Sequence, residues 1–175
     1  NCSQRSLAQK IMNGYGKETH FSYKTLSKLS EPPYLGKYEK GSGAVFPVFD
    51  YQGTMQVVNS MWESDLSGQT IINRYYFFYQ GAKIHRQGRG FLCFERILTN
   101  NNNLNLSKKT EYDYDTDYYY SFITETSASP IGQNDMSSTV LTNNRQTYSN
   151  GVFWPYVSRT IANDYLTGVT NATNN

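Results

Sequence analysis

The sequence predicts an all-β protein, with a mostly antiparallel sheet built from successive β-hairpins. Aromatic residues make up 15% of the 175 positions, and Tyr alone occurs 16 times. Such side chains favour the pleated, half-buried surface of a sheet. Short apolar runs recur about every 8 to 15 residues between Gly, Pro, Asn and Asp, which is typical of strands joined by turns. No stretch has the period of an amphipathic helix.

The first half of the chain predicts a hairpin and three strands after an irregular lead-in over residues 1–10. The hairpin covers residues 10–24, with its turn at Asn13–Gly16. Two Pro and three Gly predict a loop over residues 30–43. Strands are then predicted over residues 44–51, 54–62 and 70–79, with turns at 52–53 and 64–68.

The second half begins with a glycine-rich segment in which Gly81, Gly88 and Gly90 are expected at hairpin or bulge positions, some with positive φ, because tight reversals between bulky aromatics need a residue without Cβ. Asn100–Asn103 predicts an exposed tip, and Asn150–Gly151 a two-residue hairpin turn. Further strands are predicted over residues 107–114, 118–127, 137–142, 146–148 and 153–162, with a turn at 129–132. Residues 168–175 predict a frayed polar tail. Because the composition shows no break, we treat residues 1–175 as a single domain.

The charge and hydropathy of the chain exclude several partners. The net charge of +2 gives no dominant steering towards nucleic acid or an anionic membrane. No run of 18 apolar residues is present, so no membrane span is expected. A signal peptide is not visible. The chain starts at Asn1 without a Met, which favours a processed or excised piece of a longer protein.

Cysteines and glycosylation triplets carry little information here. Cys2 and Cys93 do not form a disulfide framework, although a bond between them stays open as an alternative. The Asn-x-Ser/Thr triplets at Asn1, Asn105 and Asn171 are expected by chance in a chain this rich in Asn, Ser and Thr.

Three acids at a spacing of two, Asp113, Asp115 and Asp117, resemble the start of a calcium loop. That loop needs Gly at its sixth position and Glu at its twelfth, where this chain has Tyr118 and Thr124. In a strand the same spacing places the acids on the solvent face and the tyrosines on the packed face. We therefore favour a solvated strand face over a calcium site.

Four basic side chains lie among glycines and raise the possibility of a phosphate-binding loop: Lys83, His85, Arg86 and Arg89. The order of residues differs from the Gly-x-x-x-x-Gly-Lys-Ser/Thr pattern of such loops. A hairpin with basic side chains pointing outwards is the favoured interpretation.

Cys93 is the only candidate nucleophile that we considered, with His85 or His20 as its base. It lies between Leu92 and Phe94 in an apolar strand, where a thiol is usually a small buried hydrophobe. Two histidines and two cysteines also make a structural zinc site improbable. We assign no catalytic, cofactor-binding or metal-binding residue, and we expect the chain not to be an enzyme.

Two aromatic runs, Tyr75–Tyr79 and Tyr118–Tyr120, place aromatic side chains on both faces of a strand. This pattern favours strands that are covered on both sides. The alternative is an open aromatic face that stacks on sugar rings, as in carbohydrate-binding β modules.

Two segments carry a resemblance to the Rhs/YD-repeat family. The spacing apolar-x-Asp-x-x-Gly-x-x-x-x-aromatic-x-Tyr is met, with Asn replacing Asp, by Ile11, Asn13, Gly16, Phe21 and Tyr23. Residues 79–94 are similar to the Tyr-x-Gly-x-Lys…Gly-x-Gly-Phe-Leu-Gly-Phe segment of Rhs-like proteins and of the shell-forming subunits of bacterial toxin complexes, except that Cys93 stands where Gly is usual. Residues 110–120 resemble the strand that follows. The resemblance covers roughly residues 10–125.

The resemblance implies a non-enzymatic segment of a large secreted or cell-surface protein. In that family, antiparallel hairpins coil into a hollow shell that encloses a toxic C-terminal domain. The expected partners are therefore the rest of a longer chain, an encapsulated toxin domain, and further copies that pair through strand edges. No cofactor is expected. The alternative is a cell-surface module that binds glycans or proteins.

Overall fold

The fold of the chain is all-β. The computed structural model describes residues 7–27, 38–68 and 70–175, and every regular element in these ranges is a strand. The strands are β1 (Lys10–Met12), β2 (Glu18–Thr25), β3 (Tyr38–Glu39), β4 (Val48–Asp50), β5 (Gln56–Ser64), β6 (Ile71–Gln80), β7 (Lys83–His85), β8 (Gly90–Cys93), β9 (Arg96–Asn101), β10 (Leu106–Tyr114), β11 (Ser121–Pro130), β12 (Ser137–Thr147), β13 (Phe153–Asp164) and β14 (Val169–Asn174). The predicted fold class is therefore confirmed.

Eleven strands form one large sheet in the order β1-β2-β5-β6-β9-β10-β11-β12-β13-β14, with β3 beside β6. All neighbours are antiparallel except β3 and β6. The β5–β6 ladder runs from Ser64 to Ser60, and beyond it β6 pairs instead with β3, at Tyr79 and Gln80. The sheet thus divides at this point, and the chain makes room there for an inserted layer.

The inserted layer is a second sheet of three strands, in the order β4-β7-β8. The hydrophobic core lies where the chain passes between the two sheets, and it consists of Leu26, Tyr38, Tyr79, Ala82 and Phe94. Elsewhere the large sheet is thinly covered, since most of its residues are half-buried or exposed. The chain therefore gains its apolar burial at one place on a long sheet.

The hairpin turns share one chemical device, an Asn or Asp side chain that accepts hydrogen bonds from backbone N–H groups of the turn. The Oδ1 atom of Asn13 accepts from Tyr15 and Lys17, and Gly16 takes φ 86°. Asp65 and Gly68, at the same spacing, repeat this arrangement at the β5–β6 turn. Related turns follow Asn101, Asp115, Asn150 and Asp164.

Three predictions about turns can now be compared with the structure. Gly81, Gly88 and Gly90 have φ of 63°, 96° and 73°, so the prediction of positive φ is confirmed. The two-residue turn at Asn150–Gly151 is wrong. Tyr148 and Val152 close a three-residue loop in which Gly151 has φ 79°, and the right-handed twist of the strands accommodates that longer turn as well.

Several predicted elements differ from the observed strands. Only Val48–Asp50 of the predicted 44–51 strand is formed, because the chain turns ahead of it, with the N–H of Val48 bonded to the carbonyl of Val45. The two strands predicted over 137–142 and 146–148 are one continuous strand, β12, because β13 pairs along its whole length. The tail predicted to fray over residues 168–175 forms β14, which pairs with β13.

Some predictions lie wholly or partly outside the described residues. These are the disulfide alternative at Cys2, the triplet at Asn1, most of the lead-in over residues 1–10 and most of the loop over residues 30–43. The described residues contain no helix that is long and apolar enough to cross a membrane.

Candidate functional site

The connection between β10 and β11 is the place where most of the sequence-predicted site residues meet. Residues 115–120, which we call the clasp loop, fold back on themselves: the N–H of Tyr119 bonds to the carbonyl of Asp115 at 2.9 Å. The Oδ1 atom of Asp115 accepts from the N–H groups of Asp117 at 2.9 Å and Tyr118 at 2.8 Å. Asp115 therefore shapes the loop before it makes any distant contact.

Arg145 of β12 holds the clasp loop from one side. Its guanidinium donates to Oδ2 of Asp115 and to Oδ2 of Asp117, and its Cζ lies 4.8 Å from the ring centre of Tyr118. Burial alone would raise the pKa of Asp115, but the N–H groups of Tyr118 and Asp117 and the guanidinium of Arg145 lower it below its ordinary value. The acids thus serve as a fixed anchor for an arginine from another strand.

Aromatic packing strengthens the same contact. The rings of Tyr118 and Tyr120 lie 4.2 Å and 5.3 Å from the ring of Phe153, at the start of β13. The clasp loop is therefore joined to β12 by charge and to β13 by ring contacts.

The small sheet holds the clasp loop from the other side. The ring of Tyr119 meets the ring of His85 edge to face, with centroids 4.3 Å apart. Arg89 lies over the Tyr119 ring at 5.7 Å and donates to the backbone carbonyl of Tyr118. The loop thereby ties the inserted sheet to the far half of the large sheet, which is a distance in sequence that no hairpin bridges.

A buried ion cluster fastens the small sheet at its opposite end. Lys83 of β7 is 5% exposed and its Nζ atom lies 2.5 Å from Oδ1 of Asp50 and 2.6 Å from Oε1 of Glu95. The Oδ2 atom of Asp50 also accepts from the N–H of Ala44 at 3.1 Å. The cluster joins β4, β7 and the segment that leads into β9.

Cys93 lies beside this cluster and is buried. Its burial, followed by the nearby Asp113 carboxylate, raises the pKa of the thiol from 9.0 to about 11. Neither histidine is among its hydrogen-bond partners: His85 accepts from the N–H of Gln87, and His20 bonds to Glu18. This environment is that of a packed thiol rather than of an activated nucleophile.

The candidate sites considered from sequence can now be placed. The three acids do not share a solvated strand face, as we had expected, because the strand ends at Tyr114 and the loop turns Asp115 and Asp117 towards Arg145. Asp113 accepts from the N–H of Tyr114. Among the described residues no group of three His, Cys, Asp or Glu side chains is arranged to hold a metal ion.

The four basic residues of the small sheet do not converge on a common point. Lys83 and His85 point into the protein and are buried, whereas Arg86 lies over the Phe49 ring at 4.5 Å and Arg89 over Tyr119. The expectation that all of them point outwards is therefore wrong for the two buried ones. They alternate along β7 with the half-buried Ile84, as the pleat requires.

The aromatic runs pack against protein. The strand that contains Tyr75–Tyr79 has β5 or β3 on one side and β9 on the other, and its aromatics are half-buried or buried. Tyr118 and Tyr120 contact Phe153 as described above. The large aromatics that are open to solvent lie elsewhere, at Trp154, which is 68% exposed, and at Tyr148 and Tyr165.

Comparison with protein families, with curated proteins and with solved structures found no match to this chain. Function must therefore be argued from the geometry.

Sequence reasoning missed the partners of the singled-out residues. Asp50, Glu95 and Arg145 were not considered, although each neutralises a charge that was. The only signal in the sequence was composition: an acid in a strand next to glycines, and an arginine in a long polar strand. Neither identifies its partner, because the pairs are 28 to 33 residues apart for Lys83–Asp50, Arg145–Asp115 and Arg145–Asp117.

Proposed function

We propose that this chain is a non-enzymatic wall segment of an exported protein of the Rhs/YD-repeat type, part of a β-shell or surface scaffold that encloses or presents an effector domain. The observation that supports this most directly is the ten-strand path of the large sheet, in which each strand is joined laterally to the next over a long, thinly covered surface. Such an arrangement suits a wall, because its extent grows with the number of hairpins rather than with the size of a core.

The repeated turn chemistry supports the same proposal. Turns in which an Asx side chain caps the reversal and a glycine follows at positive φ recur at Asn13–Gly16 and Asp65–Gly68. A repeated turn lets successive hairpins be added without redesign of the sheet. This is the structural meaning that the family pattern, met at residues 11–23, would have in the present chain.

The edge of β14 distinguishes a wall segment from a self-contained module. Its six residues, Val169–Asn174, are all exposed, and their only strand neighbour in the described sheet is β13. An uncharged, β-branched edge without Pro is a template for another strand. In a shell, that position is taken by the neighbouring part of the wall.

The test is hydrogen exchange on the full product of the reading frame that contains this sequence, compared with the isolated 175-residue chain. We expect the amides of Val169–Asn174 to be protected in the full product and to exchange in the isolated chain. The amides of β10, which has neighbours on both sides, serve as the internal control and should be protected in both. Equal, rapid exchange of β14 in both proteins would contradict the wall.

The second candidate, a glycan-binding module, is favoured by one observation. Trp154 and Tyr156 lie two residues apart on β13 and are both exposed. Because residues at a spacing of two share a face, their rings form a small open aromatic surface of the kind that stacks on sugars. Binding of oligosaccharides that is lost in Trp154→Ala and retained in Tyr15→Ala, an equally open aromatic on a distant turn, would favour this module over the wall.

A further inference from the structure

The two histidines in this sequence, His20 and His85, lie in opposite electrostatic environments. The ring of His20 stacks on Trp62 at 3.6 Å, and its Nε2 atom lies 2.8 Å from Oε2 of Glu18. A proton on this ring gains an ion pair. Protonation of His20 therefore favours the structure that is seen.

His85 has the opposite arrangement. It is 6% exposed, and its Nδ1 atom accepts a hydrogen bond from the N–H of Gln87 at 3.2 Å. Because this nitrogen is an acceptor, its lone pair is already used, and a proton there would face the Gln87 N–H. Protonation of His85 would thus break a hydrogen bond and bury a charge in the same step.

The groups around His85 do not offset that charge. Arg86 follows it in the chain and Arg89 shares the Tyr119 ring with it, so both near charges are positive. The acids on the surrounding elements are bound by other cations: Asp50 and Glu95 by Lys83, and Asp115 and Asp117 by Arg145. The remaining titratable groups on these elements are Cys93, Asp113, Tyr114, Tyr118, Tyr119 and Tyr120. Among the described residues no carboxylate forms an ion pair with His85.

The contact partner of His85 is held in a strained conformation. Tyr119 has φ 55°, in the left-handed region that a bulky residue rarely occupies. Such a conformation persists only where its surroundings impose it. Here those surroundings are the His85 ring, Arg89 and the 2.9 Å hydrogen bond to Asp115.

We propose that His85 is an acid-sensitive latch between the small sheet and the clasp loop. At neutral pH the uncharged ring holds Tyr119. As the pH falls through the range in which histidine takes up a proton, about 8 to 5, the open form gains the proton and the latched form does not. The clasp loop then leaves the small sheet and Tyr119 relaxes. This goes beyond the wall function, since it gives the wall a seam that opens with acid.

The test is hydrogen–deuterium exchange of residues 115–120 in the full chain at pH 7.5 and pH 5.5, corrected for the intrinsic exchange rate. One proton taken up on opening raises the opening constant by up to about tenfold per pH unit. The wild-type chain and His20→Gln should both show this rise. His85→Phe, which keeps a ring against Tyr119 and takes up no proton, should show none.

Two results would overturn the latch: equal opening of the wild-type loop at both pH values, or an unchanged pH dependence in His85→Phe. Should His85→Phe not fold, proton NMR of the wild-type chain decides the matter. The ring signals of Tyr119 and His85 should then shift with the same midpoint. A His85 titration that leaves the Tyr119 ring signals unmoved would also overturn the latch.

Discussion

The Nζ atom of Lys83 lies 2.5 Å from Oδ1 of Asp50, its direct cross-strand partner in the β4–β7 pair. Burial alone would lower the pKa of Lys83, but the hydrogen bonds to Asp50 and Glu95 raise it. The ammonium therefore stays charged in a place where it has almost no contact with water. The cluster fixes the inserted sheet at one end, and the clasp loop fixes it at the other.

Replacement of Lys83 by Met should destabilise the chain by about 3 kcal/mol, because it leaves two carboxylates in a poorly solvated site without their cation. The free energy of unfolding, measured with urea, is the readout. Lys10→Met removes a cation from the exposed pair with Glu18 and should change stability by less than about 1 kcal/mol. Similar losses in the two variants would contradict the importance of the buried cluster.

Gly81→Ala should be the most damaging of the glycine substitutions. Its Cβ would lie 1.9 Å from Oε2 of Glu95, and the residue has φ 63°. We expect a loss of at least about 2 kcal/mol, since strain and a clash with the ion cluster add together. Gly132→Ala has φ 76° but open space around its Cβ, so it isolates the backbone contribution. If thermal unfolding shows the same loss in both, the clash with Glu95 is absent.

Acid should weaken the anchor at Arg145. The folded chain holds the pKa of Asp115 below its ordinary value of 3.8, so the stabilisation is present above 3.8 and is lost as the pH falls through the folded value. Arg145→Gln should therefore lower stability at pH 6 and differ less from the wild type at pH 3. Arg159→Gln, at an exposed site on β13, is the control. A constant difference between wild type and Arg145→Gln at both pH values would rule out the linkage.

Cys93 should be unreactive in the folded chain. With a pKa raised from 9.0 to about 11, its thiolate fraction at pH 8 is about a hundredfold lower than in the unfolded chain, and burial slows access further. In a Cys2→Ser variant, alkylation should be at least about a hundredfold faster in denaturing urea than in buffer. Rapid alkylation of the folded chain would place this thiol at the surface instead.

The isolated chain should self-associate through β14. The prediction that the edge would form at Tyr75–Tyr79 is wrong, because β6 has strand neighbours on both sides. Ala172→Lys places a charge on the exposed β14 edge and should shift the chain towards monomer in sedimentation velocity runs. Leu104→Lys adds the same charge at an exposed turn and should leave association unchanged. A wild-type chain that stays monomeric at high concentration would refute pairing at this edge.

Local chemistry was sufficient for the strands and for several of the turns. The alternation of aromatics with polar residues located β6, and Gly81, Gly88 and Gly90 marked reversals, because positive φ is a property of one residue and its immediate neighbours. The same reasoning failed at residues 168–175. Their polar composition indicated a free end, but pairing with β13 supplies the hydrogen bonds that composition cannot reveal.

The sequence by itself determined that this protein is all-β, built of antiparallel hairpins, with Cys93 in a packed strand. Tertiary structure alone decided that β4, β7 and β8 leave the main path to form a second sheet, and that Lys83 and Arg145 are the residues that fasten it. The physical reason is range. Backbone preferences and side-chain alternation act over a few residues, whereas the energy of a buried ion pair depends on which distant carboxylate arrives beside the cation.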